Sequence, residues 1–142
     1  MSYPFREALL DTFVIVKWFV PEEDSERALN LRRAQEGREL QLYAPEVLLM
    51  ELANALRYSS EFSTSEIAGA LETPFELNML LMPFSLSALN SAVTLSLEHD
   101  LAVYDAYFLA LAQALEIPLI TADRKMLSRL TPEDGAVDLK SL

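Results

Sequence analysis

Four acidic residues lie within or beside the most apolar segments of this chain, namely Asp11, Glu51, Asp105 and Asp123. An ionised carboxylate in apolar surroundings is costly unless it is paired, hydrogen-bonded or bound to a metal. No basic side chain of a buried type accompanies any of the four at helical or strand spacing. If the four carboxylates converge in the folded chain, their natural counter-ion is a divalent metal, and the site would be that of an enzyme.

Two of these acids stand close behind short apolar runs that are typical of buried strands. Asp11 follows Ala8-Leu9-Leu10, and Asp123 comes just after Leu119-Ile120-Thr121. In an open parallel sheet, ligands bind outside the carboxyl ends of the strands. We therefore expect both carboxylates at the edge of the sheet where a ligand would bind.

Three of the acids also have a simpler interpretation. Asp105 and Asp123 each stand at the start of a predicted helix, where an acidic side chain caps the helix and complements its dipole. Glu51 lies in the middle of a predicted helix, and Asn54 and Tyr58 follow it at one-turn intervals. This polar stripe also fits a solvent-facing helix surface, so that each of these residues, taken alone, leaves both alternatives open.

The rest of the chain predicts the elements that would position the acids. Apolar runs predict strands at Leu9–Val16, Leu40–Tyr43, Leu77–Met82, Pro118–Thr121 and Ala136–Leu139. Helical spacing and capping residues predict helices at Asp24–Gln35, Pro45–Tyr58, Ser63–Glu72, Ser85–Glu98, Val103–Glu116 and Asp123–Leu130. Strands that alternate with helices favour a parallel sheet covered on both faces, and we expect one domain over residues 1–142 because no linker is present.

The composition excludes several other kinds of chemistry. The chain of 142 residues has no cysteine and only three glycines, which are isolated, so that Cys-ligated zinc, thiol nucleophiles and glycine-rich phosphate loops are absent. Its one histidine, His99, lies in a polar turn after a predicted helix, which argues against a Ser-His-Asp triad. What remains is carboxylate chemistry with a hard cation, Mg²⁺ or Mn²⁺, which can activate water and stabilise phosphoryl oxygens.

Charge and hydropathy limit the possible surroundings of the protein. The net charge of −11 argues against a general nucleic-acid coat protein, but not against an enzyme that meets phosphate through metal ions. The N-terminal segment carries Arg6 and Glu7, unlike a signal peptide, and the uncharged stretch 77–97 contains Pro83 and several polar residues, unlike a membrane span. Together with the lack of cysteine, these features predict a cytoplasmic protein without a membrane segment.

Four segments, read in order, resemble a PIN domain of the VapC toxin type. They are LLDTFVIVKWFVPEEDSERAL, APEVLLMELANALR, VYDAYFLALAQAL and IPLITADRKML. The resemblance implies a three-layer αβα sandwich with a mainly parallel central sheet. It also implies an endoribonuclease dependent on Mg²⁺ or Mn²⁺ that hydrolyses RNA phosphodiesters, acts as the toxin of a type II toxin–antitoxin pair, forms a homodimer and binds a cognate antitoxin protein.

Carried over residue by residue, the resemblance identifies the catalytic and metal-binding acids as Asp11, Glu51, Asp105 and Asp123. Asn54 and Thr121 are expected to support this site. One position departs from the family pattern, because Phe13 stands where the family usually carries Ser, Thr or Asn. A bulky ring there could narrow the site, shift the backbone or point into the core.

Two other functions stay open. Phe13 and the net charge favour a PIN-like domain that has lost efficient catalysis and acts as an RNA-binding or assembly module. A metal-dependent phosphatase or a DNA nuclease could use the same acids. Basic residues close to the acids in sequence could contact phosphate or could only solubilise the surface, and they are Lys17, Arg57, Arg124 and Lys125.

Overall fold

The computed structural model describes residues 2–59 and 62–142 of the chain. Its strands are β1 (Glu7–Leu10), β2 (Gln41–Pro45), β3 (Leu80–Met82), β4 (Leu119–Thr121) and β5 (Ala136–Asp138). They form one sheet in the order β3-β2-β1-β4-β5, and each pair of neighbours is parallel. The predicted parallel sheet within a three-layer αβα sandwich is confirmed.

Helices connect the strands, because parallel strands need a crossover on one face of the sheet or the other. They are α1 (Thr12–Val16), α2 (Ser25–Glu36), α3 (Leu48–Ser59), α4 (Thr64–Glu76), α5 (Leu86–His99), α6 (Val103–Leu115) and α7 (Arg124–Ser128). Helix α6 is buried over most of its length and packs against β1, β2 and β4, with α5 outside it. Among the described residues, no helix is long and apolar enough to cross a membrane.

The order of the strands creates a switch point between β1 and β4. The chain builds β1, β2 and β3 outward on one side, then returns to place β4 and β5 on the other side of β1. Leu9 pairs with Leu119 and Leu10 with Ile120, so that β1 and β4 end level with each other. The N–H of Asp11 then donates to the carbonyl of Ile120 at 3.0 Å. The segments that carry Asp11 and Asp123 therefore leave the sheet side by side.

The first predicted strand, Leu9–Val16, is wrong beyond Leu10. The chain turns at Asp11, which is still extended at φ −70° and ψ 152°, and α1 begins at Thr12. The β-branched run Val14-Ile15-Val16 favours a strand by propensity, but all three side chains are buried when the segment forms a single helical turn. Burial in the tertiary structure therefore outweighs local propensity here.

Pro45 is also placed differently from the prediction. It closes β2, where it pairs with Met82 of β3, and α3 begins only at Leu48. Helix α4 has the predicted capping box of Ser63 and Glu66, but it continues past Pro74 and ends at Glu76 rather than Glu72. Helices α5 and α6 lie where they were predicted, within one residue at each end.

Gln35 ties the end of α2 to the sheet through two hydrogen bonds. Its side-chain oxygen accepts from the N–H of Leu42 at 2.6 Å, and its amide donates to the carbonyl of Leu77 at 3.0 Å. The N–H of Gln41 donates to the carbonyl of Arg6, on the β1 side of β2. The next N–H, that of Leu42, points to the opposite side, where β3 pairs with β2 only from Tyr43 onward. Gln35 therefore supplies an acceptor where the neighbouring strand has not yet begun.

We expect Gln35→Ala to lower the free energy of unfolding by about 2–3 kcal/mol, because it leaves a buried main-chain N–H and a part-buried carbonyl without their partner. Urea denaturation measures the change. The matched control is Gln113→Ala, which removes one exposed side-chain bond to the carbonyl of Asp134 and should cost well under about 1 kcal/mol. Equal losses in the two variants would contradict this assignment.

Candidate active site

The four predicted acids surround the carboxyl ends of β1 and β4. Asp11 and Asp123 follow these strands, Glu51 projects from α3, and Asp105 lies in the first turn of α6. Asp11, Glu51 and Asp105 line a cavity of about 290 Å³, here called the α1–α3 cavity. Asp105 and Asp123 line a second cavity of about 450 Å³, here called the α6–α7 cavity. Asp105 is shared by both, so the acids form one continuous group.

Asp11 is the most buried of the four acids, with a relative exposure of 8%. The hydroxyl of Thr121, which is fully buried in β4, donates to its Oδ2 at 2.8 Å. The same hydroxyl oxygen accepts from the N–H of Asp123 at 3.1 Å. Thr121 therefore fixes the Asp11 carboxylate and the start of the Asp123 segment relative to each other.

Glu51 faces the α1–α3 cavity rather than open solvent. It is half-buried, and the hydroxyl of Thr12 donates to its Oε1 at 2.5 Å. Asn54, one turn later, lines the same cavity with its side chain exposed. The sequence interpretation missed Thr12 as a site residue. The pattern that could have identified it is a hydroxyl side chain directly after an acid at the end of a strand.

The helix-cap interpretation separates Asp105 from Asp123. Asp123 does cap α7, because its Oδ1 accepts from the N–H of Met126 at 3.0 Å. Asp105 is not the cap of α6, since Ala102 occupies that position. Its half-buried carboxyl group is directed instead to the two cavities that it lines. Helix capping therefore explains Asp123, whereas Asp105 has only the favourable dipole of the first turn of α6.

Burial and mutual repulsion make the carboxylates hard to ionise. Burial, together with repulsion from Asp105 and Glu51, raises the pKa of Asp11 to about 7, although the hydrogen bond from Thr121 opposes the rise. Burial also raises the pKa of Asp105, with added repulsion from Asp123 and Glu51 and a partial offset from Lys125. In the described part of the chain, no Lys, Arg or His forms an ion pair with any of the four.

The donor set fits a hard divalent cation in chemistry and in charge. It consists of carboxylate oxygens that form no ion pair with a described basic residue, and such hard oxygen ligands are those that Mg²⁺ or Mn²⁺ prefers. Within residues 2–59 and 62–142, however, no three acidic or histidine side chains are already arranged to ligate one ion. The side chains would have to reorient, or bind through water, to hold a cation.

Phe13 borders the site and does not enter the core. Its ring is 54% exposed and lines the α1–α3 cavity, on the side opposite to the buried residues of α1. Tyr58, which the sequence placed on the same helix face as Glu51, lines that cavity as well and is 74% exposed. Of the three possibilities for Phe13, the one in which it points into the core is wrong.

The basic residues near the acids differ in their surroundings. Lys17 pairs with Glu22 at 3.1 Å, and Arg124 pairs with Asp138. Arg57 lies over the ring of Tyr58, 4.7 Å from its centroid. Lys125 lines the α6–α7 cavity beside Asp105. Arg129, which the sequence interpretation did not single out, lines the same cavity and pairs with Asp100.

Comparisons with known proteins agree with this fold. A family model described as the PIN domain matches residues 8–131. Ribonuclease VapC3 of Pyrobaculum aerophilum is 34% identical over 120 residues, which are 83% of this chain and 90% of that protein. Among solved structures, a toxin–antitoxin complex from Klebsiella pneumoniae superposes with a TM-score of 0.67 at 23% identity, covering 93% of this chain and 97% of that one.

A second solved structure, FitAcB from Neisseria gonorrhoeae, has a TM-score of 0.67 at 18% identity and covers 95% of this chain and 99% of its own. These structures support the fold, and the family match spans nearly all of the elements that carry the acids. The resemblance predicted from four separate segments is confirmed. The chain therefore belongs to the PIN domain family, among its VapC-type members.

Proposed function

We propose that this protein is a divalent-metal-dependent endoribonuclease that hydrolyses RNA phosphodiesters as the toxin of a toxin–antitoxin pair. The observation that carries the proposal is the convergence of four acids at the carboxyl ends of β1 and β4, without an ion pair to any described basic residue. These acids are Asp11, Glu51, Asp105 and Asp123. The similarity to ribonuclease VapC3 supports RNA as the substrate. The acids suit a phosphodiester only together with a cation, because alone they would repel it.

In this proposal Asp11, Asp105 and Asp123 hold Mg²⁺ or Mn²⁺, directly or through water. When bound, such a cation lowers the pKa of a water molecule and offsets charge on the phosphodiester oxygens. Thr121 keeps Asp11 in one orientation, and the Thr12 hydroxyl holds one oxygen of Glu51. The other oxygen of Glu51 remains to accept a proton from water or to orient it.

The basic side chains of the α6–α7 cavity have the position of a phosphate contact. Lys125 lies close enough to Asp105 to oppose the rise of its pKa, and it forms no ion pair with any described residue. Arg129 lines the same cavity. We assign the phosphate next to the cleaved bond to this cavity, since its cations would offset the acids there.

Two kinds of protein partner are supported, one by a solved relative and one by an exposed apolar surface. The solved toxin–antitoxin complex from Klebsiella pneumoniae supports an antitoxin protein as a partner of this chain. Helix α5 exposes an apolar stripe of Leu86, Val93 and Leu97, which supports a homodimer. We further propose that the chain functions as one domain over residues 1–142 and acts on RNA in the cytoplasm.

A second candidate function rests on the same cavity. Phe13 replaces the small polar side chain usual in the family, and the acids are not prearranged around one ion. Both observations favour a domain that binds RNA or assembles with partners and cleaves slowly. The experiments below separate the two, because a binding module would tolerate loss of the acids.

We expect Asp11→Asn and Asp105→Asn each to lower RNA cleavage by roughly a hundredfold or more, since each removes a carboxylate that the proposed chemistry requires. Cleavage of a fluorescent single-stranded RNA is followed with Mn²⁺ and again with EDTA. Glu133→Gln, at an exposed position outside both cavities, is the matched control. Full activity in both acid variants, or activity in EDTA, would overturn the proposal.

The raised pKa of Asp11 predicts an inverse dependence of stability on pH when metal is absent. Folded Asp11 keeps its proton up to about pH 7, whereas the unfolded chain loses it near pH 4. The folded state therefore binds more protons between these values, and the free energy of unfolding falls by up to about 4 kcal/mol as the pH rises.

Asp11→Asn removes the contribution of Asp11 to this dependence and leaves that of Asp105. In EDTA the variant should therefore be more stable than the wild type at pH 8 and similar to it below about pH 4. Urea denaturation across this range measures the difference. The control Glu133→Gln should follow the wild-type curve. A wild type whose stability rises steadily from pH 4 to pH 8, with Asp11→Asn parallel to it, would show that Asp11 ionises normally.

We expect Mn²⁺ or Mg²⁺ to raise the melting temperature, because an ion that binds only the folded state stabilises it by linkage. At a hundredfold excess over Kd the gain is about 2.7 kcal/mol, which corresponds to roughly 5 °C or more for a chain of this size. Asp11→Asn should abolish the shift, and Glu133→Gln should keep it. A melting temperature unchanged by millimolar metal would count against a cation at this site.

A further inference from the structure

Two exposed aromatic rings border the acidic group from the side of the α1–α3 cavity. Phe13 is the exposed member of α1, whose other four residues are buried. Tyr58 stands two turns after Glu51 on α3 and is 74% exposed. The two rings belong to different helices, yet both line the cavity that contains Asp11, Glu51 and Asp105. Large rings left open to solvent at such a cavity indicate a surface that binds a flat, apolar group.

The surroundings of the rings add polar groups that suit a nucleobase. Asn54 lies between Glu51 and Tyr58 on the same face of α3, with an exposed amide that can donate and accept. Ala55 leaves room beside it because its side chain is small. Arg57 lies over the ring of Tyr58, 4.7 Å from its centroid, so that one ring face carries a cation while the ring as a whole stays largely exposed.

The distribution of charge assigns the base and the phosphate to different cavities. Among the described residues, the side chains that line the α1–α3 cavity include three acids and no Lys or Arg. Such a cavity disfavours phosphate but accepts an uncharged base. The α6–α7 cavity also has three acids, Asp100, Asp105 and Asp123, but it adds Lys125 and Arg129, and Arg129 pairs with Asp100 at 3.5 Å. A nucleotide that crosses Asp105 would therefore place its base among the aromatic rings and its neighbouring phosphate beside the cations.

We propose that Phe13 and Tyr58 stack on an unpaired nucleobase next to the cleaved bond and thereby set the affinity of the enzyme for its RNA. This inference rests on the proposed ribonuclease function and names two side chains that hold a base of its substrate. A base within a duplex already has both faces stacked, so it cannot enter the cavity without being extruded. Stacking on aromatic side chains depends little on which base is present, and each base contributes roughly tenfold or more to affinity.

A nucleobase fits this cavity better than an apolar side chain of a protein partner. An aliphatic side chain would cover Asp11, Glu51 and Asp105 without offering them any hydrogen bond, which is costly for carboxyl groups. The edge of a base carries N–H groups that can donate to carboxylate or to Asn54. The alternative, in which a protein partner covers the two rings, is the other outcome that the test distinguishes.

The test compares ring-removing and ring-retaining variants on short single-stranded and hairpin RNAs in Mn²⁺. We expect Phe13→Ala and Tyr58→Ala to raise KM for single-stranded RNA about tenfold, with a smaller effect on kcat. Phe13→Trp should stay close to the wild type. Phe75→Ala, at a ring 60% exposed on α4 and outside both cavities, is the matched control and should change nothing. Melting temperatures should be unaffected, because the rings are exposed.

A second arm places one abasic nucleotide at successive positions of the RNA. At one position the abasic nucleotide should raise the KM of the wild type as much as Phe13→Ala does. The same nucleotide should raise the KM of Phe13→Ala little further, because the substitution and the missing base remove the same contact. If the wild type cleaves RNA but both alanine variants keep its KM, the stacking role is overturned while the proposed function stands. If the alanine variants alter only self-association, measured by sedimentation, the rings serve a protein surface and the inference is overturned. A wild type that cleaves no RNA overturns the proposed function and this inference together.

Discussion

The hydrogen bond from Thr121 to Asp11 is the interaction around which this end of the molecule is organised. It joins the residue after β1 to the last residue of β4, the two strands that meet where the chain reverses its direction across the sheet. The donor is fully buried and the acceptor nearly so, which makes the bond strong and its loss costly. Because the same hydroxyl accepts from the N–H of Asp123, the positions of two acids depend on it.

This arrangement costs stability that a purely structural domain would have no reason to give up. A carboxyl group whose pKa is raised to about 7 destabilises the folded state at neutral pH. Its neighbours Asp105 and Glu51 increase the repulsion, and none of the described basic residues pairs with them. Strongly perturbed carboxylates that share a cleft are typical of functional sites. The surrounding core, with Leu9, Leu10 and Ile120 fully buried beside the acids, provides the stability that offsets the cost.

The sequence predicted the sheet and the acids for different physical reasons. Asp11 and Asp123 could be placed because residues that follow buried parallel strands must meet at one edge of the sheet. Glu51 could not be placed by its own pattern, since a mid-helix polar stripe fits solvent as well as a site, and only the family resemblance tied it to the others. Its position depends on Thr12, a contact between residues 39 apart that no local pattern encodes.

The errors in the sequence interpretation arose where tertiary packing outweighs local preference. The β-branched residues of α1 favour a strand, yet one helical turn buries them all and leaves Phe13 outside. Pro45 suits the first turn of a helix, but it also suits the end of a strand, and its pairing with Met82 decides the matter. Both errors concern segments that connect the strands to the site. In these segments the backbone must orient side chains toward the cavities as well as bury apolar residues in the core.

Phe13, which departs from the family pattern, and Asp105 line the same α1–α3 cavity, and Asp105 also lines the α6–α7 cavity. Asp105 belongs to both, so a substrate that reaches the acids must extend into one cavity, the other, or both. A small polar residue at position 13 would leave the α1–α3 cavity lined by acids, Asn54 and little apolar surface besides Tyr58. The ring of Phe13 gives that cavity a second aromatic wall without adding positive charge.

In an acidic protein with a net charge of −11, contacts to uncharged bases are a way to gain affinity for RNA that does not depend on neutralising many phosphates. Such affinity should also be less sensitive to salt than binding through lysine and arginine, because stacking releases few counter-ions.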